Sequence, residues 1–328
     1  MRLRTWLIIL TVMTVVVCGV AAWTVTGSSS RPAAGPDAAI RARTRVPSSA
    51  RPSPPRPSPS PTIAVVTGAP SGVKAKGAVL ADAATGQVLW GRDVDIERPM
   101  ASITKVMTAL LVLQSGDLGR EITIPKAAVS YAWEFGGETA ALRPGDVLTA
   151  AELLPALLLA SGADAAYTLA NAYGPGLTAF VARMNATAAR MGMTRTHFAS
   201  PDGLPYPTET STYSTPADLL TLGLAAMRYP AFRSVVDLQF YQLPKGRGHH
   251  EYWWDNTDDL IGSYSGAVGI KDGYTDDAGH CLLFEAVRGS RTLIGVVLDS
   301  PASGSGAGAQ AAEQMLNWGF RLADSATG

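Results

Sequence analysis

The stretch Pro99-Met-Ala-Ser-Ile-Thr-Lys-Val-Met-Thr-Ala-Leu-Leu-Val-Leu-Gln114 decides how this chain is read. Apolar residues stand on nearly every side of a helix built from it, as in a central helix buried all round. Among its few polar residues are a hydroxyl and an amine. Ser102 and Lys105 are three apart, one turn from each other on the same helix face, so the amine reaches the hydroxyl. Lys105 is one of only six Lys in the chain. Burial in so apolar a helix, together with other cations, lowers a Lys pKa toward the neutral base that a serine nucleophile needs. The helix N-terminus also aims backbone N–H groups at whatever Ser102 attacks. Ser-x-x-Lys by itself arises often by chance on helix surfaces, so its surroundings must be read too.

Before this helix, Gly77 to Trp90 reads as two short strands joined by a turn at Thr85-Gly86. After it, Ala150 to Ala160 and Asp164 to Tyr173 form two helices broken at Ser161-Gly162, and Gly176 to Met191 and Thr215 to Met227 add two more. Strands return at Gln239 to Leu243, Val268 to Lys271, His280 to Val287 and Thr292 to Leu298, and a helix over Ala307 to Leu322 closes the chain. The order predicts an α/β (α+β) fold: one antiparallel sheet assembled from both chain ends, helices packed on it, and an inserted helical subdomain.

At 328 residues and 34.2 kDa, with 47% hydrophobic and 16% charged residues, there is ample material for a core. Residues 1 to 62 hold eight Arg and one Asp, a surplus of seven positive charges that the rest of the chain balances with seven negative ones. A body with an acidic balance argues against nucleic acid as a partner. Two cysteines, Cys18 and Cys281, make neither a disulfide framework nor a Cys-rich zinc site. Arg2 and Arg4 precede an apolar run from Trp6 to about Val25, long enough to cross a bilayer, so export is expected with residues 1–27 as an uncleaved membrane anchor or a cleaved leader. Residues 28–62, rich in Pro, Ser and Arg, cannot form a core and read as an extended stalk. Residues 63–328 are then the catalytic body, held outside the membrane.

Further stretches carry a resemblance: Thr85-Gly-Gln-Val-Leu, Leu159-Ala-Ser-Gly-Ala-Asp-Ala-Ala, Asp202-Gly-Leu, Tyr213-Ser-Thr-Pro-Ala-Asp-Leu, Asn256-Thr-Asp-Asp-Leu and Gly269-Ile-Lys-Asp-Gly-Tyr-Thr. With the Ser102 helix they resemble the D-alanyl-D-alanine carboxypeptidases, low-molecular-mass penicillin-binding proteins of the serine β-lactamase-like fold, over about residues 75 to 320. That family has three motifs in this order: Ser-x-x-Lys, Ser-x-Asn and Lys-Thr-Gly. The resemblance implies Ser102 as nucleophile, Lys105 as general base, Ser161 as proton relay and Lys271 as the strand cation that attracts a substrate carboxylate. It implies that Gly273 leaves the strand edge open to substrate, and that the N–H groups of Ser102 and Tyr274 form an oxyanion hole. The expected substrate is a peptidoglycan stem peptide ending in D-Ala-D-Ala, with β-lactams as acylating inhibitors and no metal or organic cofactor.

Two positions depart from the pattern. Ala163 stands where the second motif has Asn, removing an amide that would hydrogen-bond the substrate. Asp272 stands where the third has Thr. A hydroxyl that would donate to the substrate carboxylate becomes a carboxylate that repels it and lies beside Lys271 as a counter-charge, unless it turns aside to an Arg or a water. Three readings follow: a carboxypeptidase with altered recognition, a protein that binds wall peptides or β-lactams without turning them over, or an esterase or amidase whose substrate lacks a terminal carboxylate. His249-His250-Glu251 lacks a third metal ligand at suitable spacing, and the following aromatics are expected to wall the cleft near Lys271. Asp202-Gly203-Leu204 and Asp218 match positions of that family, and turn formation and helix capping explain them as well as chemistry does.

Overall fold

The computed structural model describes residues 68–301 and 306–324, all within one compact unit. The expected anchor and stalk lie outside the described residues. Among those residues no helix is long and apolar enough to cross a membrane.

Strands β1 (Gly77–Asp82) and β2 (Val88–Arg92) form the first hairpin, followed by the two-residue β3 (Arg98–Pro99). A 3-10 turn over Ala101–Thr104 leads into α1 (Lys105–Gln114). The helical block comprises β4 (Glu121–Thr123), α2 (Lys126–Glu134), β5 (Val147–Thr149), α3 (Ala150–Leu158), α4 (Ala163–Tyr173), α5 (Leu177–Arg190), β6 (Tyr213–Ser214), α6 (Pro216–Ala226) and α7 (Pro230–Val236). Then come β7 (Phe240–Leu243), β8 (Tyr252–Asp255), β9 (Ala267–Thr275), β10 (Gly279–Arg288), β11 (Arg291–Ser300) and α8 (Ala307–Asp324).

Five strands make one sheet in the order β2-β1-β11-β10-β9, every pair antiparallel. The two chain ends meet where Gly77 lies opposite Leu298 and Asp82 opposite Leu293. Side-chain alternation assigns the faces. Val79, Ala81, Ile294, Val296 and Leu298 join the core beneath the helical block, while Ala78, Leu80, Leu293 and Val297 join the core beneath α8. From Lys105 to Leu113 every residue of α1 is buried, which is why its sequence has no polar face.

Two expectations are corrected. Gln239–Leu243 was expected in the main sheet, but β7 pairs only with β8, in a separate hairpin. Tyr252 and Trp254 of that hairpin pack into the core instead of walling the Lys271 cleft. Alternation turns Tyr252 and Trp254 into the core, where the Tyr252 hydroxyl donates to Asp146 Oδ2 (2.6 Å) and Trp254 Nε1 donates to the Ala140 carbonyl (2.8 Å). Phe240 and Trp253 stack outside. His250 Nδ1 lies 2.9 Å from Asp146 Oδ1, so His250 joins the same fastening while His249 Nδ1 lies against the His250 carbonyl, and among the described residues no cluster of His, Cys, Asp or Glu is arranged to hold a metal.

Candidate active site

The nucleophile candidate sits in the 3-10 turn rather than in the α-helix proper, because the chain enters the turn through Ala101 at φ +47°. A non-glycine residue in the left-handed region costs about 1–2 kcal/mol and persists where its surroundings fix it. Here they do. A Cβ on Gly203 would lie 1.9 Å from the Ala101 carbonyl oxygen, and one on Gly273 would lie 2.8 Å from Ser102 N. Both glycines admit backbone that presses on the turn and fixes Ser102.

Lys105 is buried, with Nζ 2.8 Å from Ser102 Oγ and 3.0 Å from the Asp202 carbonyl oxygen. Burial lowers the Lys105 pKa to about 8; the Asp202 carboxylate opposes the fall and the Lys271 ammonium adds to it. Asp202 therefore does more than shape a turn. Its Oδ1 accepts from the Ser200 hydroxyl (2.7 Å) and the Leu204 N–H (3.0 Å), and the turn so built presents its carbonyl to the base. A backbone acceptor leaves no mark in side-chain chemistry, so sequence reading misses it.

Ser161 lies between α3 and α4, buried and, like Ala101, in the left-handed region at φ +55°. Gly162 has no room for a Cβ, which would stand 2.7 Å from Asp164 Oδ1 and 2.8 Å from Ala140 Cβ. Asp164, unforeseen as a site component, holds this corner by accepting from Thr139 Oγ1 (2.7 Å) and the N–H groups of Ala140 (3.0 Å) and Leu142 (3.1 Å). Ala163 is fully buried and its N–H donates to the Glu138 carbonyl (2.8 Å). Its methyl points into packing beside Gly137, where a Cβ would come within 2.9 Å of it.

The third motif lies on β9, the free edge of the sheet, with Lys271 opposite Leu283 and Gly273 opposite Cys281. Asp272 does turn aside, but to Lys271 Nζ and to the Thr257 hydroxyl, which donates to Oδ1 at 2.7 Å. Burial would raise the Asp272 carboxyl, yet the Lys271 ammonium and these hydrogen bonds outweigh it and hold the group below the usual carboxylate range. Lys271 is itself buried and reaches Thr257 Oγ1 at 3.3 Å. Its charge is thus compensated from within the chain. Tyr274 is exposed, its ring against His280 and its hydroxyl donating to Asp276 Oδ1 (3.2 Å). Cys281 is buried, and burial pushes its thiol up to about 12, so it is an inert core residue.

The sheet closed from both chain ends, with a Ser–Lys pair at the foot of the inserted helices and a cationic edge strand opposite, is the architecture of the active-site serine DD-peptidases. The profile of the D-alanyl-D-alanine carboxypeptidase family matches residues 64–302, and the chain belongs to that family. It is 38% identical over 253 residues to a D-alanyl-D-alanine carboxypeptidase of Streptomyces sp. (strain K15), covering 73% of this chain and 84% of the relative. It is 37% identical over 245 residues to D-alanyl-D-alanine carboxypeptidase DacB2 of Mycobacterium tuberculosis, covering 74% and 81%. The crystal structure of the Streptomyces K15 DD-transpeptidase superposes with a TM-score of 0.71 at 36% identity, covering 76% of this chain and 98% of that one.

Proposed function

We propose that this chain is a serine-type D-Ala-D-Ala carboxypeptidase that trims peptidoglycan stem peptides through an acyl-enzyme on Ser102. The observation that carries the reading is the 2.8 Å approach of a buried amine with a pKa of about 8 to the Ser102 hydroxyl. A neutral Lys105 takes the proton as Ser102 Oγ attacks the carbonyl carbon between the two D-alanines. The N–H groups of Ser102 and Tyr274 receive the developing oxyanion. The proton then passes to the leaving amine, with Ser161 as relay, and D-alanine departs. Water attacks the acyl ester, Lys105 again accepts a proton, and the shortened peptide leaves. All of this is chemistry of the chain's own side chains and backbone.

In the same reading the body is residues 63–328, carried outside the membrane by the 28–62 stalk and the 1–27 segment as anchor or leader. The decisive experiment is intact mass of the purified chain after incubation with a penicillin, beside Ser102→Ala. A stoichiometric adduct on the unmutated chain alone is expected. No adduct on a folded chain at high drug concentration favours the second reading, a wall-peptide or β-lactam binding protein without turnover, which the internal Lys271–Asp272 ion pair supports.

A further inference from the structure

A hydroxyl is missing from the third motif at residue 272, and one stands beside it on Thr257, in the loop after β8. Thr257 Oγ1 lies 2.7 Å from Asp272 Oδ1, 3.1 Å from the Leu159 carbonyl oxygen and 3.3 Å from Lys271 Nζ. A hydroxyl has one proton to give, and the shorter contact, to a charged acceptor, takes it. The Leu159 carbonyl is served by the Thr257 N–H at 3.1 Å. Lys271 donates to the lone pairs of Thr257 Oγ1 as well as to Asp272 Oδ1. One residue thus ties the third motif to the end of α3, two positions before Ser161.

The loop is built to hold Thr257 in this place. Asn256 Nδ2 donates to the carbonyls of Leu238 (2.8 Å) and Val236 (3.3 Å), and Asn256 Oδ1 accepts from the Asp258 N–H (3.0 Å). Asp258 Oδ1 in turn accepts from the Leu260 N–H (2.9 Å). The neighbours on both sides are therefore fixed, while Thr257 itself is exposed on the wall of a cavity of about 310 Å³ that Asp272 and Gly273 also line. The Asp272 side chain is 34% exposed and that of Lys271 only 1%, so a carboxylate entering this cavity meets Asp272 in front of the ammonium. An aspartate free to turn toward it would repel it. Donation from Thr257 and Lys271 to the same oxygen holds the Asp272 charge against its counter-ion instead.

We propose that Thr257 is a positioning residue that sets specificity: its hydroxyl clamps Asp272 against Lys271 and so lets the altered third motif accept the terminal carboxylate of a substrate. The inference rests on the carboxypeptidase reading for its ligand, but its test needs no turnover. In the full-length Ser102→Ala chain, ligand-observed NMR measures the affinities of diacetyl-L-lysyl-D-alanyl-D-alanine and of its C-terminal amide, and their ratio is compared among variants. Thr257→Val, close in shape but without the hydroxyl, should weaken binding of the carboxylate peptide at least about fivefold and of the amide less than about twofold. Thr257→Ser keeps the hydroxyl and should keep the ratio. Asp272→Asn removes the charge that is clamped, so adding Thr257→Val to it should leave the ratio unchanged. An equal loss for both peptides would reduce Thr257 to a structural role and overturn the inference. So would an unchanged ratio in Thr257→Val, a loss that persists beside Asp272→Asn, or no binding of either peptide at millimolar concentration. Adduct formation with a penicillin on the chain that keeps Ser102 tests the catalytic reading separately. No adduct, with a ratio that depends on Thr257, removes turnover and leaves the clamp; an adduct with a ratio indifferent to Thr257 does the reverse.

Discussion

Because Lys105 Nζ lies 2.8 Å from Ser102 Oγ and its pKa is about 8, acylation of Ser102 by a penicillin should rise with pH along a single-proton limb centred near that value. About a tenth of the amine is then neutral at pH 7, half at pH 8 and about nine tenths at pH 9. A Lys at its ordinary value, about 10.4, would be neutral in roughly one molecule in 2,500 at pH 7. The shift thus supplies about 200-fold more base at neutrality, equivalent to about 3 kcal/mol of barrier. Burial is the chief cause, so the effect belongs to the all-apolar packing of α1. The assay is the second-order acylation rate between pH 6 and 9.5 at constant ionic strength, followed by intact mass or with a fluorescent penicillin. The rate should climb close to tenfold from pH 6 to 7 and less than twofold from 8 to 9. Asp272 raises the Lys105 pKa, so Asp272→Asn should move the limb to lower pH. A flat profile, a limb centred above about pH 10, or an upward move in Asp272→Asn would refute Lys105 as the base.

Other outcomes follow from the same contacts. Lys105 is held near 8 in the folded state against 10.5 for an unperturbed lysine, so its burial opposes folding by about 3 kcal/mol below pH 8, and this penalty fades between pH 8 and 10.5. Lys105→Met loses two hydrogen bonds at about 1 kcal/mol each, so urea denaturation should find it about 1 kcal/mol more stable at pH 7. Its advantage should disappear toward pH 10; one that grows with pH would contradict the sign. Gly203→Ala pushes a methyl against the Ala101 carbonyl at φ +85° and should cost at least about 3 kcal/mol while slowing acylation, seen in denaturant midpoints and rates measured side by side. Tyr252→Phe takes one partner from Asp146 and another from the Arg143 N–H, and denaturation should show a loss of about 1–3 kcal/mol.

The features legible in the sequence share a physical basis in short-range periodicity. The spacing of three pairs Ser102 with Lys105, the lack of a polar face places the α1 segment in the core, and alternating or continuously apolar runs mark the strands at both chain ends. Long-range approach of backbone was not legible. Nothing about Ala101 signals positive φ; what fixes it is the nearness of Gly203, a contact between distant segments. The Asp202 carbonyl and the Thr257 hydroxyl beside Asp272 likewise become chemistry only when loops meet. Short elements such as α7, β4 and β5 span too few residues for a period to show. Asp272 reads from the sequence as a departure and as a counter-charge to Lys271, whereas the Thr257 hydroxyl that also holds it comes from a separate loop and leaves no local sign.

The antiparallel seam between β1 and β11 has a consequence for biosynthesis. Each hairpin flanking that seam is local and can form quickly, whereas the seam joins the first strand made to the last. A ribosome-bound chain carries Ser102 and Lys105 long before it carries Lys271, Gly273 or the strand that holds β1 in place. Until β11 arrives, the apolar α1 has no sheet to lie on and the serine has no edge strand facing it. A polypeptide stalled before β11 therefore lacks the assembled site, and labelling of Ser102 by a covalent probe should count only chains that have passed that strand.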